Sequence, residues 1–180
     1  MNGHHLILGK LDDFVTGEVL DDTLDERCRQ KIARCLVEQK GFGKHELVPR
    51  YPLTVVAGAC KAQIKIDLLV TVADRICVIV FFGPGSLVTR HRPALAISRL
   101  VVPYQVPLVV VTNGENAEVL DGATGVVQAR GLEGLPSRSA IAHVSFTPLS
   151  SRQVEMEGRI LYAYEIDDRC PCDEDICRLE

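Results

Sequence analysis

Aromatic residues are scarce, at 5% of 180 positions with no tryptophan, although 47% of the chain is hydrophobic. That is enough apolar material for one well-filled domain and a small appendage, and too little length for two full domains. No apolar run approaches a membrane span, and Met1 to Phe14 lacks a basic start, a long apolar core and a cleavage site. A membrane protein is therefore excluded as an expectation, and a cytoplasmic location is expected. An excess of positive charge is missing too. The formal net charge of -4 argues against a surface that attracts nucleic acid everywhere, while leaving room for a local basic cleft. Much of the negative charge is local, since Glu165 to Glu180 holds seven acids against two arginines. Internal repeats and low-complexity tracts are absent.

What is present is centred on Ile64 to Gly85, where two runs rich in Ile, Val and Leu, Ile64 to Val72 and Ile76 to Phe82, flank the turn Ala73-Asp74-Arg75. They read as the paired strands of a sheet core. Upstream, Thr23 and Glu26 fit a capping box that opens a helix, with Leu24, Cys28, Ile32, Cys35 and Leu36 as its apolar stripe and Gly41 or Gly43 at its end. Tyr51 to Ala57 reads as a strand turning at Gly58 into the central pair. Downstream, Pro93 suits a first helical turn with helix from Ala94 to Val102, and Pro107 to Thr112 is a buried strand. Asn116 to Asp121 and Val126 to Ala129 read as a hairpin. Ser150 and Gln153 form a second capping box, opening a helix from which Val154, Ile160, Leu161 and Tyr164 pack back, although 160–166 also alternates like a strand.

Seven cysteines in a reducing compartment are expected to be thiols. Cys28, Cys35, Cys60 and Cys77 sit inside apolar patterns and read as small core residues. Cys170, Cys172 and Cys177 are clustered in the tail, where Zn2+ is one reading, its fourth ligand to come from Asp173, Asp175, a histidine elsewhere or another chain. A mobile acidic tail or a labile disulfide are the others.

Asp67 stands among Ile66, Leu68 and Leu69, and a carboxylate there needs a cation, a donor or a proton. Lys65, two residues earlier on the same strand face, is the expected partner. The second strand carries no acid or base on either face between Ile76 and Phe82.

In this order, DFVTGEVLDDT, then Glu26-Arg27-Cys28-Arg29-Gln30, then PLVVVTNGENAEVLDGATG resemble the amino-terminal nuclease domain of type I restriction enzyme motor subunits, over about Asp13 to Pro136. The resemblance implies an α/β fold, a restriction-endonuclease-like mixed central sheet flanked by helices, with a C-terminal helix and tail. It divides the chain into an entry segment 1–12, a domain 13–148 and the extension 149–180. It also implies metal-assisted phosphodiester hydrolysis, in which two acids hold a divalent ion and a lysine on the second strand stabilises developing charge. Carried over residue by residue, the first-strand acid falls on Asp67 and the helix glutamate on Glu26. The second-strand acid and lysine, just before Gly83-Pro84-Gly85, fall on Val80 and Phe82.

The expectation is therefore a degenerate relative that needs no cofactor and acts through a nucleic-acid or protein partner, with no membrane partner. Arg90, Arg92 and Arg99 are the candidate nucleic-acid contacts, set against an ordinary solvated surface, and Glu26 is as well explained by a helix cap. An active nuclease using Mg2+ or Mn2+, with Lys65 or Lys61 standing in for the lost lysine, is the alternative. A module run by the tail thiolates is a third.

Overall fold

The computed structural model describes residues 6–83, 85–141 and 144–164, together with the backbone of 176–179. A small hairpin, β1 (Lys10–Asp12) and β2 (Val19–Asp21), leads into α1 (Leu24–Glu38). Then come β3 (Leu47–Ala57), β4 (Cys60–Val72), β5 (Arg75–Phe82), α2 (Val88–Ser98), β6 (Tyr104–Gln105), β7 (Leu108–Thr112), β8 (Ala117–Asp121) and β9 (Val127–Arg130). A short helix α3 (Arg138–Ile141), β10 (Thr147–Pro148), α4 (Ser151–Tyr162) and β11 (Ile176–Leu179) follow.

The main sheet is mixed, in the order β3-β4-β5-β7-β8-β9, and every pair is antiparallel except β5 with β7, which α2 connects. β11 pairs with the first half of β4, beside β5. The expected central pair is present. Its turn has Ala73 and Asp74 at φ of 50° and 60°, the left-handed geometry that lets a tight hairpin match the strand twist. One sheet face carries Ile64, Ile66, Ile79, Phe81, Val109 and Val111 against α2 and Leu161 of α4. The other carries Leu68, Val70, Val78, Val80 and Val110 against Ile32, Ala33 and Leu36 of α1. The sheet is thus covered on both sides, as a largely aliphatic central strand set requires.

Several expectations are corrected. Leu24 is 63% exposed and Cys60 is exposed, so neither belongs to the core. α2 starts at Val88, placing Pro93 inside the helix, and ends at Ser98, whose carbonyl accepts from the amide of Val106 as the chain turns back. Proline is tolerated because the carbonyl it leaves unbonded is that of Thr89, in the exposed first turn. At the C-terminal end helix wins over strand: the Ser150 hydroxyl accepts from the Gln153 amide and the Gln153 side chain accepts from the Ser150 amide. Of the apolar side chains expected to pack from α4, Leu161 is buried, whereas Val154 and Tyr164 are exposed.

α4 crosses β3 closely. A Cβ built on Gly158 would lie 2.2 Å from the carbonyl oxygen of Val56, so only glycine permits the approach. Gly158→Ala is expected to lower stability by about 1–3 kcal/mol through overpacking, measured by urea unfolding.

Candidate functional site

Thr23 caps α1, its hydroxyl accepting from the Glu26 amide at 3.1 Å. Only this half of the capping box forms. The Glu26 carboxylate, 3% exposed, turns toward the sheet, where Oε2 accepts from Arg29 Nη1 at 2.8 Å and Oε1 from Gln30 Nε2 at 2.7 Å. Arg29 follows Glu26 by three positions, so the two side chains share a helix face.

Asp67 projects from β4 toward the same face and is 8% exposed. Its Oδ1 accepts from Arg29 Nε at 2.7 Å, and its Oδ2 from the backbone amide of Phe82 at 2.7 Å. The expected partner is therefore corrected: Lys65 is exposed on β4, and Arg29, 38 positions away in sequence, holds Asp67. Burial raises the pKa of the Asp67 carboxyl above that of an ordinary aspartate, a shift that Arg29 and the Phe82 amide reduce without cancelling. Burial acts against the charge on Arg29 in turn, yet Asp67 and Glu26 together raise its pKa beyond the ordinary value. The helix glutamate and strand aspartate do converge, bridged by one guanidinium.

A second arginine extends the network. Arg50 on β3 adopts φ of 51° and is flanked by the pairs Pro49 with Leu68 and Tyr51 with Ile66, so it sits beside Asp67 in the register. A non-glycine residue in this region is disfavoured. Its guanidinium bonds Asp13, Glu18 and, at 3.4 Å, Glu26. Asp13 is itself buried, accepting from the amides of Val15 and Thr16. Burial opposes its charge, and the Thr16 amide and Arg50 outweigh that and bring its pKa below the usual carboxylate value.

β5 gives the network no further polar side chain. Val80, 2% exposed, lies opposite Leu68 and beside Val110, and Phe82 lies beside Thr112. The cavity between Cys28, Arg29, Asp67, Val80, Phe82 and Thr112 measures about 10 Å³, room for one water at most. Mg2+ asks for about six oxygens at ~2.1 Å and keeps several waters. Here every oxygen of Asp67 and Glu26 already accepts a hydrogen bond, and the Arg29 guanidinium stands between them. A divalent ion does not fit this donor set. Among the described residues, no three His, Cys, Asp or Glu side chains come together in a metal-holding group. Cys170 and Cys172, and the side chain of Cys177, lie outside the described residues.

The arginine patch expected near α2 is largely turned inward. Arg92 and Arg99 clamp the buried carboxylate of Glu157 on α4, each at 2.6 Å, and Arg99 also donates to Gln105 and to the carbonyls of Gly122 and Ala123. Arg90 lies over Gly83, where a Cβ would meet its Nε at 2.7 Å. Positive charge instead lines the outer side of α1. Arg27, Gln30, Lys31 and Arg34, with Leu11 and Asp12 of β1, border an open cleft of about 330 Å³. The Arg34 guanidinium and Lys44 ammonium lie 4.4 and 4.0 Å from the centroid of the Phe14 ring. Sequence reasoning missed this cleft, although Arg27, Lys31 and Arg34 recur at the four- and three-residue spacing of one helix face.

No curated protein and no solved structure matches the chain. The family model for the type I restriction enzyme R protein N terminus matches residues 24–136, which take in α1, the whole of the main sheet apart from β11, and the Glu26–Arg29–Asp67 bridge. With well over half of its residues inside that match, the chain belongs to the type I restriction enzyme R protein N-terminal family.

Proposed function

We propose that this protein is a non-cleaving member of its family, one that binds DNA without hydrolysing it. The observation that carries the reading is on β5: Val80 and Phe82 stand where hydrolysis would need a metal-holding acid and a charge-stabilising lysine. Asp67 and Glu26, the two acids left, are both held from within by the Arg29 guanidinium. Neither Val80 nor Phe82 offers a side-chain group that activates water or stabilises an oxyanion. Binding is a separate matter. The cleft beside α1 supports it, because Lys31 and Arg34 line it, Lys44 stands with Arg34 over the Phe14 ring, and Arg27, though paired with Asp22, lies on its border, on a protein that is otherwise acidic.

Two measurements on one preparation test the reading. Supercoiled plasmid incubated with the protein in Mg2+ or Mn2+ is expected to remain uncut. Fluorescence anisotropy with duplex DNA is expected to show affinity that falls linearly with the logarithm of salt concentration. Arg34→Glu should weaken binding uniformly across sequences and lower the salt slope by about one or more. Cutting that disappears in Asp67→Ala would refute the reading, as would binding that ignores salt and Arg34.

A further inference from the structure

Three features of the Glu26–Arg29–Asp67 bridge belong together. It joins two elements far apart in sequence, α1 and β4, through a single positive group. It lies where the two acids of a metal-dependent site would share an ion, and it uses adjacent nitrogens of one planar guanidinium, Nε for Asp67 and Nη1 for Glu26. It is also closed: the arginine side chain is 18% exposed and the adjoining cavity has room for one water at most. Two carboxylates this deeply buried cannot both keep their charge unless a cation stays between them.

We infer that Arg29 is a tethered replacement for the divalent ion, so that the assembly of α1 onto β4 no longer depends on metal, and that a cation-binding site for Mn2+ or a free guanidinium exists here only when this side chain is removed. A diffusing ion holds such a pair of acids only while it is bound, whereas a side chain in the same place is always there. The chain has exchanged an ion that can leave for one that cannot. Removing the guanidinium vacates a volume between two acids: Gln30 and the Phe82 amide donate hydrogen bonds without carrying charge, and Arg50 reaches Glu26, at 3.4 Å, while Asp67 loses the cation that held it.

Thermal unfolding of the full chain tests this with MnCl2 and methylguanidinium as the probes, each against EDTA alone. The wild type is expected to show the same Tm in all three. Arg29→Ala should melt lower, and either cation at ten or so times its Kd should raise the melting temperature of that variant by about 3 °C or more. Adding Asp67→Asn to Arg29→Ala should abolish the Mn2+ response, which separates this site from any other acidic surface. Should Arg29→Ala fail to fold, Arg29→Gln keeps the stem without the charge and is read in the same way. A wild type stabilised by Mn2+, a charge-free variant indifferent to both cations, or a response that survives Asp67→Asn would each overturn the role assigned to Arg29. DNA binding without cleavage would stand even then, since unfolding and DNA assays report separately.

Discussion

Replacing Glu157 with alanine is expected to cost about 3–5 kcal/mol, the range seen when one partner is removed from a buried ion pair. Glu157 is 2% exposed and gives one oxygen to Arg92 and the other to Arg99, at 2.6 Å each. Without it, two guanidiniums face each other under α4 with no carboxylate between them. Arg99 retains Gln105 and the Gly122 and Ala123 carbonyls, which offset part of the loss. Arg92 keeps less. The next residue is Gly158, whose approach to Val56 depends on how α4 sits, and Leu161 one turn further on is fully buried against the sheet. Loosening the clamp therefore loosens apolar packing too. Urea unfolding followed by far-UV circular dichroism measures the effect, and Glu157→Gln, which keeps the shape and one acceptor, should lose less than alanine does. α4 lies beyond residues 24–136, yet it carries Glu157 into a buried charge cluster and Leu161 into the core of one sheet face.

The features legible in the sequence are those whose causes are local. Apolar runs on either side of Ala73-Asp74 announced the central hairpin, and Ser150 with Gln153 announced the start of α4, because a turn or cap is decided by residues a few positions apart. The buried strand 107–112 and the hairpin after it were legible for the same reason. Partners of buried charges were not. Asp67 needs compensation, but nothing near it in sequence indicates Arg29 from a helix 38 positions earlier, and the local pattern points to the nearby Lys65 instead. Arg92 and Arg99 resemble a basic surface until Glu157, 58 positions beyond Arg99, folds over them. Arg50, between Tyr51 and Pro49, carries its unusual φ for a long-range ion contact that no local pattern encodes. In each case the hydrophobic period determines which face a residue is on, while the identity of its charged neighbour is decided by packing between elements.

Putting an acid on β5 is expected to be as damaging as removing Glu157. Val80→Asp sets a carboxylate at a position 2% exposed, between Leu68 and Val110, on the cavity that Asp67 also lines. Among the described residues, the only cation bordering that cavity is Arg29, already shared by two acids. A third carboxylate is thus unpaired, desolvated and close to a like charge, and a cost of about 3–5 kcal/mol at neutral pH follows. The pH dependence identifies the cause. The new aspartate takes up a proton more readily in the folded protein than in the unfolded chain, where its pKa is about 3.9. Stability relative to wild type should therefore fall as pH rises above that value, and most of the deficit should vanish at more acid pH. Val80→Asn, polar and uncharged, should lack that dependence. Adding Phe82→Lys supplies a cation on the same strand, and a double-mutant cycle is expected to return about 0.5–3 kcal/mol of coupling. Plasmid cleavage should still be absent from the double variant, because Arg29 remains between Glu26 and Asp67 and leaves their oxygens no place for an ion.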